Sequence, residues 1–355
     1  MPRTSKKKAL TRKQRYIASA KKPFMVIVSR SKLFMSRRPH RSFRLSYRRD
    51  YRRSLKLPGY ISFTHYVTKT LWQYKKIMIW VVVVYAVLTA IFIGVGSQAT
   101  YATLTSTLQE TGSQIFQGDI GQIGQAALIF LSVGTSGLTA SPTEAQQIYV
   151  IILGLLVWLT TVWLLRNLLA GHKVKMRDGL YSAGAPIVAT FIVAMIMVLQ
   201  LIPIAIAMIA YASASATGLL SGGVAAMLFW FATSLLAIMS LYWITSTFFA
   251  LIIVTLPGMY PMRALKTAGD MVVGRRLRIL LRILWMFGAI IVVSAVTLIP
   301  IILIDTGLTH VWPVVDKVPI VPFALLLTSV IAFIWAASYI YLLYRRVVDD
   351  DTKPA

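Results

Sequence analysis

The sequence predicts an all-α fold: a polytopic transmembrane helical bundle of six spans with both termini cytoplasmic. Three observations predict it. The 355-residue chain is 57% hydrophobic and only 14% charged. Six apolar runs come close to or exceed the ~20 residues that cross ~30 Å of hydrocarbon at 1.5 Å per residue. The 37 lysines and arginines, against 11 acidic residues, cluster in segments that alternate crossings place on one side. The ~10-residue alternation of a transmembrane β-barrel is absent.

The spans are expected at 77–96, 148–165, 186–211, 224–256, 283–304 and 321–344. The fourth run is longer than a bilayer needs, so it should tilt, kink or protrude. Pro203 and Pro300 fall inside the third and fifth spans, where neighbouring helices can take up the backbone groups a proline frees. Three regions follow: a basic cytoplasmic tail over 1–76, a transmembrane domain over 77–346, and a short acidic tail over 347–355.

Orientation comes from charge. Residues 1–76 hold 23 Lys and Arg, 166–177 hold four, and 257–282 hold six, with Arg345, Arg346 and Lys353 near the end. The segments 97–147, 212–222 and 305–320 hold only Lys317. Cytoplasmic loops carry the positive excess, so this division puts both termini inside, as in a bacterial cytoplasmic membrane. A further span over 126–140 would break the pattern. Residues 97–147 are therefore expected as one external segment.

No secretory signal is expected at the cationic start, although its acid-free, Arg- and Ser-rich composition also fits an organellar transit peptide. Residues 1–38 have the composition of a disordered segment. In "HRSFRLSYRRDYRRSLKLPGY", Phe43, Tyr47, Tyr51 and Leu55 recur every four residues, which predicts an amphipathic helix near 41–57. Arg44, Arg48, Arg49, Arg52 and Arg53 surround that stripe. Such a helix suits an anionic leaflet, at about 1 kcal/mol per basic residue near the surface. Interleaved Arg and Tyr also suit RNA, so residues 1–60 carry a second expectation, a ribosome or nucleic-acid partner. His65–Lys76 is expected to lead into the first span, with Trp72 and Tyr74 at the interface.

The stretch "PMRALKTAGDMVVGRRLRILLRIL" (261–284) carries Arg263, Lys266, Arg275, Arg276, Arg278 and Arg282. As a helix it would place Arg275, Arg278 and Arg282 on one face, with Leu277, Leu280, Leu281 and Leu284 largely opposite. That pattern predicts an interfacial helix with leucines among acyl chains and guanidinium groups at phosphate. The alternative is that these arginines only set topology.

"KMRDGLYSAG" (175–184) resembles "PMRALKTAG" (261–269), and "LIPI" recurs at 201–204 and 298–301. The pairing predicts a duplicated hairpin, spans two–three and four–five, in parallel orientation. The run 254–284, with Ala264, Leu265, Lys266, Ala268 and the Gly274–Arg275 pair, resembles the membrane domain of some glycerophosphodiester phosphodiesterases and related six-span bacterial membrane proteins. The resemblance covers spans two to five and implies a lipid-facing membrane domain. It implies no catalysis here, because the phosphodiesterase chemistry of that family belongs to a separate soluble barrel.

No catalytic, cofactor or metal residues are expected. No span core carries an ionisable group, which disfavours proton-coupled transport. Gln200 with Pro203, and Pro300, are the candidate intramembrane polar or kink positions. "GTSG" (134–137) lacks a nearby base. "GDMVVGRR" (269–276) lacks the Lys-Ser/Thr of a phosphate loop. With no cysteine, disulfides and thiolate sites are excluded. The expected function is a non-enzymatic membrane-organising, scaffold or accessory protein whose basic face binds anionic phospholipid. The alternatives are a facilitator or channel for an apolar or amphipathic solute, and a membrane tether for ribosome or nucleic acid.

Overall fold

A computed structural model describes residues 57–94, 143–217, 222–311 and 320–352. These form helices α1 (Tyr60–Gln73), α2 (Lys75–Phe92), α3 (Glu144–Leu169), α4 (Met176–Ala183), α5 (Ile187–Ala216), α6 (Gly223–Ile253), α7 (Pro261–Val272), α8 (Arg276–Val311) and α9 (Ile320–Thr352). Among the described residues there is no strand. Six of the helices, α2, α3, α5, α6, α8 and α9, are long and apolar enough to cross a membrane. The amphipathic helix expected near 41–57, and nearly all of 97–147, lie outside the described residues.

Each predicted run lies on one of the long helices, but the ends differ. The largest difference is at α8, which starts at Arg276 rather than 283 and continues to Val311. Gly274 makes the joint with α7, at φ 79°, a left-handed backbone that side chains other than glycine disfavour. Arg282 lies inside α8 and is buried against protein, as is Arg275 just before the helix begins. Asp305, expected in an external loop, is a buried position on α8.

Residues 60–73 are a helix of the bundle rather than a plain lead-in. Phe63, Val67 and Thr70, at i, i+4 and i+7, form one buried stripe. Phe63 meets Tyr339 of α9 edge-on at 4.8 Å. Tyr74, at φ −106° and ψ 27°, ends α1 and begins α2.

Contacts fix the antiparallel order. At one end, Gln146 Nε2 donates to the Ile93 carbonyl (2.9 Å), and Phe92 lies 5.1 Å from Tyr149. Tyr211 and Trp230 are 5.9 Å apart at the same stage of the next crossing. At the other end, the Tyr74 hydroxyl donates to the Leu168 carbonyl (3.2 Å), and Phe249 of α6 meets Tyr344 of α9 at 5.9 Å.

Packing is uneven along the helices. In α6, Ile244, Thr245 and Thr247 through Val254 are buried, whereas Val224, Met227, Leu228, Phe231, Leu235 and Ile238 are exposed. In α9 the buried run Tyr339–Leu343 faces the same core. One end of this unit is therefore a dense protein core, and the other presents apolar side chains outward.

One order of elements, with a like burial pattern, occurs twice. A long helix, a short amphipathic helix and a proline-bearing long helix occur twice, as α3–α4–α5 and α6–α7–α8. Gly179 and Ala183 are the buried positions of α4; Ala264, Ala268 and Val272 are those of α7. Aligning Gly179 with Ala264 matches buried, half-buried and exposed positions through Ala183 and Ala268. The Met-Arg pairs then sit one residue out of register. Small residues recur because each short helix packs tightly on the span before it. A Cβ on Gly179 would come within 2.8 Å of Leu164 Cγ.

Candidate functional site

The basic end is built where α1, α4 and α7 meet the terminal turns of α3, α6 and α9. Arg166, in the last turn of α3, donates Nη1 to the Thr255 carbonyl at 3.1 Å and Nη2 to the Thr255 hydroxyl. A cation thus caps the C-terminal end of the neighbouring α6, where carbonyls lack helical partners. The bond also brings 166–177 and 257–282, the two basic connections, to the same end.

The six cations of 261–284 divide into two groups. Arg275 and Arg282, seven residues apart, share the inward face at 3% and 5% exposure. Arg282 Nη2 donates to the Pro58 carbonyl, and its guanidinium lies 4.9 Å from the Tyr60 ring and 5.5 Å from that of Phe63. Trp285, one turn on, donates to the Thr64 hydroxyl at 3.0 Å. Arg282 is thereby the post on which α1 docks. Arg276 is half-buried; its Nη1 donates to the Tyr242 carbonyl at 2.8 Å, with the guanidinium 3.7 Å above the Tyr242 ring.

Arg263, Lys266 and Arg278 are exposed. Leu277, Leu281 and Leu284 are exposed too, on the side away from Arg275 and Arg282. The expected single arginine face is corrected: around a 3.6-residue helix Arg278 lies about 60° from Arg275 and about 40° from Arg282, and it is exposed where they are buried. Lys69, Lys75, Lys76, Lys173, Lys175, Arg177 and Arg346 add exposed cations at this end. Asp178 accepts from the Lys175 backbone N–H at 3.0 Å and holds the start of α4. Arg44, Arg48, Arg49, Arg52 and Arg53, with the tail proposed for ribosome or nucleic acid, lie outside the described residues.

The intramembrane candidates are engaged by neighbours. Gln200 Oε1 accepts from the Thr247 hydroxyl at 2.6 Å. Pro203 has no N–H for its helical ladder, and the next donor, Ile204 N–H, reaches Ser240 Oγ on α6 at 3.2 Å. The Tyr85 hydroxyl and Thr160 Oγ1 pair at 2.7 Å between α2 and α3. Pro300 sits on an exposed face.

Sequence reasoning gave no binding role to Arg166, Arg345 or Arg346. Arg346 stands 4.9 Å over the Tyr66 ring, joining α9 to α1. The signal was there in part: Phe63, Tyr66, Val67 and Thr70 make a helical stripe facing whatever α1 docks on. Among the described residues no group of His, Cys, Asp and Glu could hold a metal. What this end offers chemically is guanidinium and ammonium groups for anions, some braced on aromatic rings. No family model, curated protein or solved structure matches the chain.

Proposed function

We propose that the chain is a six-span integral membrane protein, termini on the cytoplasmic side of a bacterial inner membrane, acting without catalysis. Its basic end binds the anionic headgroups of that leaflet and so organises lipid or scaffolds other components. One observation carries the reading: every described Lys and Arg belongs to the same end of the bundle. Hydrocarbon tolerates charge poorly, and cations collect on the cytoplasmic face, where anionic lipid is found.

Helix lengths support the placement. Gly223 to Tyr242 is about 30 Å of helix at 1.5 Å per residue, one hydrocarbon thickness. Those residues are the outward-facing part of α6, and Arg276 stacks on Tyr242 where they end. The remaining turns of α6 are buried in protein, so the long fourth span continues past the hydrocarbon into the headgroup layer of the cytoplasmic side. This agrees with the lipid-facing role implied by the resemblance to phosphodiesterase membrane domains.

The test is boundary-lipid selectivity of the full chain, reconstituted in phosphatidylcholine and read by electron spin resonance. Spin-labelled phosphatidylglycerol should associate in preference to phosphatidylcholine, and added salt should weaken the preference. Arg263→Gln/Lys266→Gln/Arg278→Gln should remove most of it. Equal association of the two lipids would count against the reading.

A further inference from the structure

Between α1, the last turn of α3 and the end of α9 is a cleft of about 230 Å³. It is lined by Tyr66, Leu169, Leu342, Arg345, Arg346 and Asp349. We propose that this cleft binds the singly charged phosphodiester of one glycerophospholipid headgroup, with Arg345 and Arg346 on the phosphate. The proposal rests on the six-span reading and adds to it a defined, stoichiometric site, distinct from the exposed cations of α7 and α8.

Two adjacent guanidinium groups bring planar donor forks to one opening, a geometry suited to paired phosphate oxygens. Neither is a loose surface chain. Arg346 is steadied 4.9 Å over the Tyr66 ring, and half-buried Arg345 lies beside the Tyr341 hydroxyl. Holding them in advance lowers the ordering cost of binding.

Charge chooses among phosphates. Two guanidinium groups and the Asp349 carboxylate give the lining one net positive charge. A phosphodiester carries one negative charge and matches it. A phosphomonoester near neutral pH carries close to two, and its second charge would meet Asp349. Polyphosphate and nucleic acid are disfavoured for the same reason.

Position indicates a lipid rather than a soluble diester. Leu169 and Leu342 make part of the wall apolar. Leu168, next to Leu169, accepts from Tyr74, the joint at which α1 turns into α2. Trp72 beside that joint is 71% exposed, and Lys75 stands 5.2 Å over its ring. An exposed tryptophan with a neighbouring lysine at the start of a span is the pattern of the headgroup layer. The cleft therefore opens at the depth where a lipid phosphate lies.

The test is native mass spectrometry of the delipidated full chain in mild detergent. Phosphatidylglycerol, phosphatidic acid, glycerol phosphodiester and inorganic phosphate are titrated separately. Wild type should take up one phosphatidylglycerol per chain ahead of the other three. Arg345→Gln/Arg346→Gln should weaken that binding at least about tenfold. Arg346→Lys, which keeps the charge and loses the fork, should weaken it several-fold and serves if the double variant fails to fold. Asp349→Asn should narrow the preference for phosphatidylglycerol over phosphatidic acid.

Wild-type binding in the Arg346→Lys and double variants would overturn the site, as would an unchanged preference in Asp349→Asn. Glycerol phosphodiester or inorganic phosphate binding as tightly as the lipid would overturn the lipid assignment. The Arg263→Gln/Lys266→Gln/Arg278→Gln chain should retain the single lipid. If the wild-type chain shows no boundary-lipid selectivity yet keeps the single lipid, the surface reading fails and the cleft stands.

Discussion

Arg166 on α3 donates to the Thr255 carbonyl, 89 residues further along the chain, at the end of α6. That bond joins the two basic connections and closes the C-terminal end of one span with the side chain of another. Arg166→Ala would leave the Thr255 carbonyl without this donor in a half-buried place, at a cost of about 1–3 kcal/mol. We expect a lower unfolding midpoint in detergent, and a smaller loss for Thr255→Val, which keeps the carbonyl. A double-mutant cycle reads the coupling.

Arg282 and Arg278 lie one turn apart on α8 and should respond in opposite ways. Arg282 holds Pro58 and the rings of Tyr60 and Phe63, so Arg282→Gln should loosen α1. Faster amide exchange over 60–73 with unchanged lipid selectivity is expected. Arg278→Gln removes an exposed cation. It should leave exchange unaltered and lower the selectivity for phosphatidylglycerol.

Gly179 lets α4 approach α3 closely. Gly179→Ala puts a methyl group within 2.8 Å of Leu164 Cγ. Overpacking of this kind costs typically about 1–3 kcal/mol. Adding Leu164→Ala should relieve the clash, so that the double variant loses less than the two single losses combined. Simple additivity in thermal unfolding would contradict the packing.

Ser240 completes the backbone that Pro203 interrupts. Ser240→Ala leaves Ile204 N–H without that acceptor between α5 and α6. Interhelical bonds of this class are worth about 0.6–2 kcal/mol in membranes. We expect a loss in that range by unfolding in detergent, with Ser240→Thr retaining more stability than Ser240→Ala.

Much of this arrangement is legible in the sequence, and the remainder is hidden for identifiable reasons. The six long helices stand out because hydrocarbon-length apolar runs are rare and unambiguous. Counting cations leads one to expect 166–177 and 257–282 at a shared end, and the Arg166–Thr255 bond brings the end of α3 to the end of α6. Arg275 and Arg282 could not be placed that way. A guanidinium turned inward onto a carbonyl and aromatic rings has the same letters as one turned out to water. Helix α1 was hidden by His65 and Lys69, which interrupt a buried stripe only 14 residues long with two exposed charges or near-charges. The cleft at Arg345 and Arg346 depends on Tyr66 and Leu169, residues distant in sequence, which no local pattern joins.

Sidedness is tested most directly by cysteine labelling, since the chain has no cysteine of its own. Single cysteines at Lys173, Lys266 and Glu144 would be exposed to a membrane-impermeant maleimide in intact cells and in inverted membrane vesicles. The account predicts that Lys173→Cys and Lys266→Cys react in inverted vesicles and are protected in cells, with Glu144→Cys reversed. Labelling of either Lys173→Cys or Lys266→Cys from outside intact cells would contradict it.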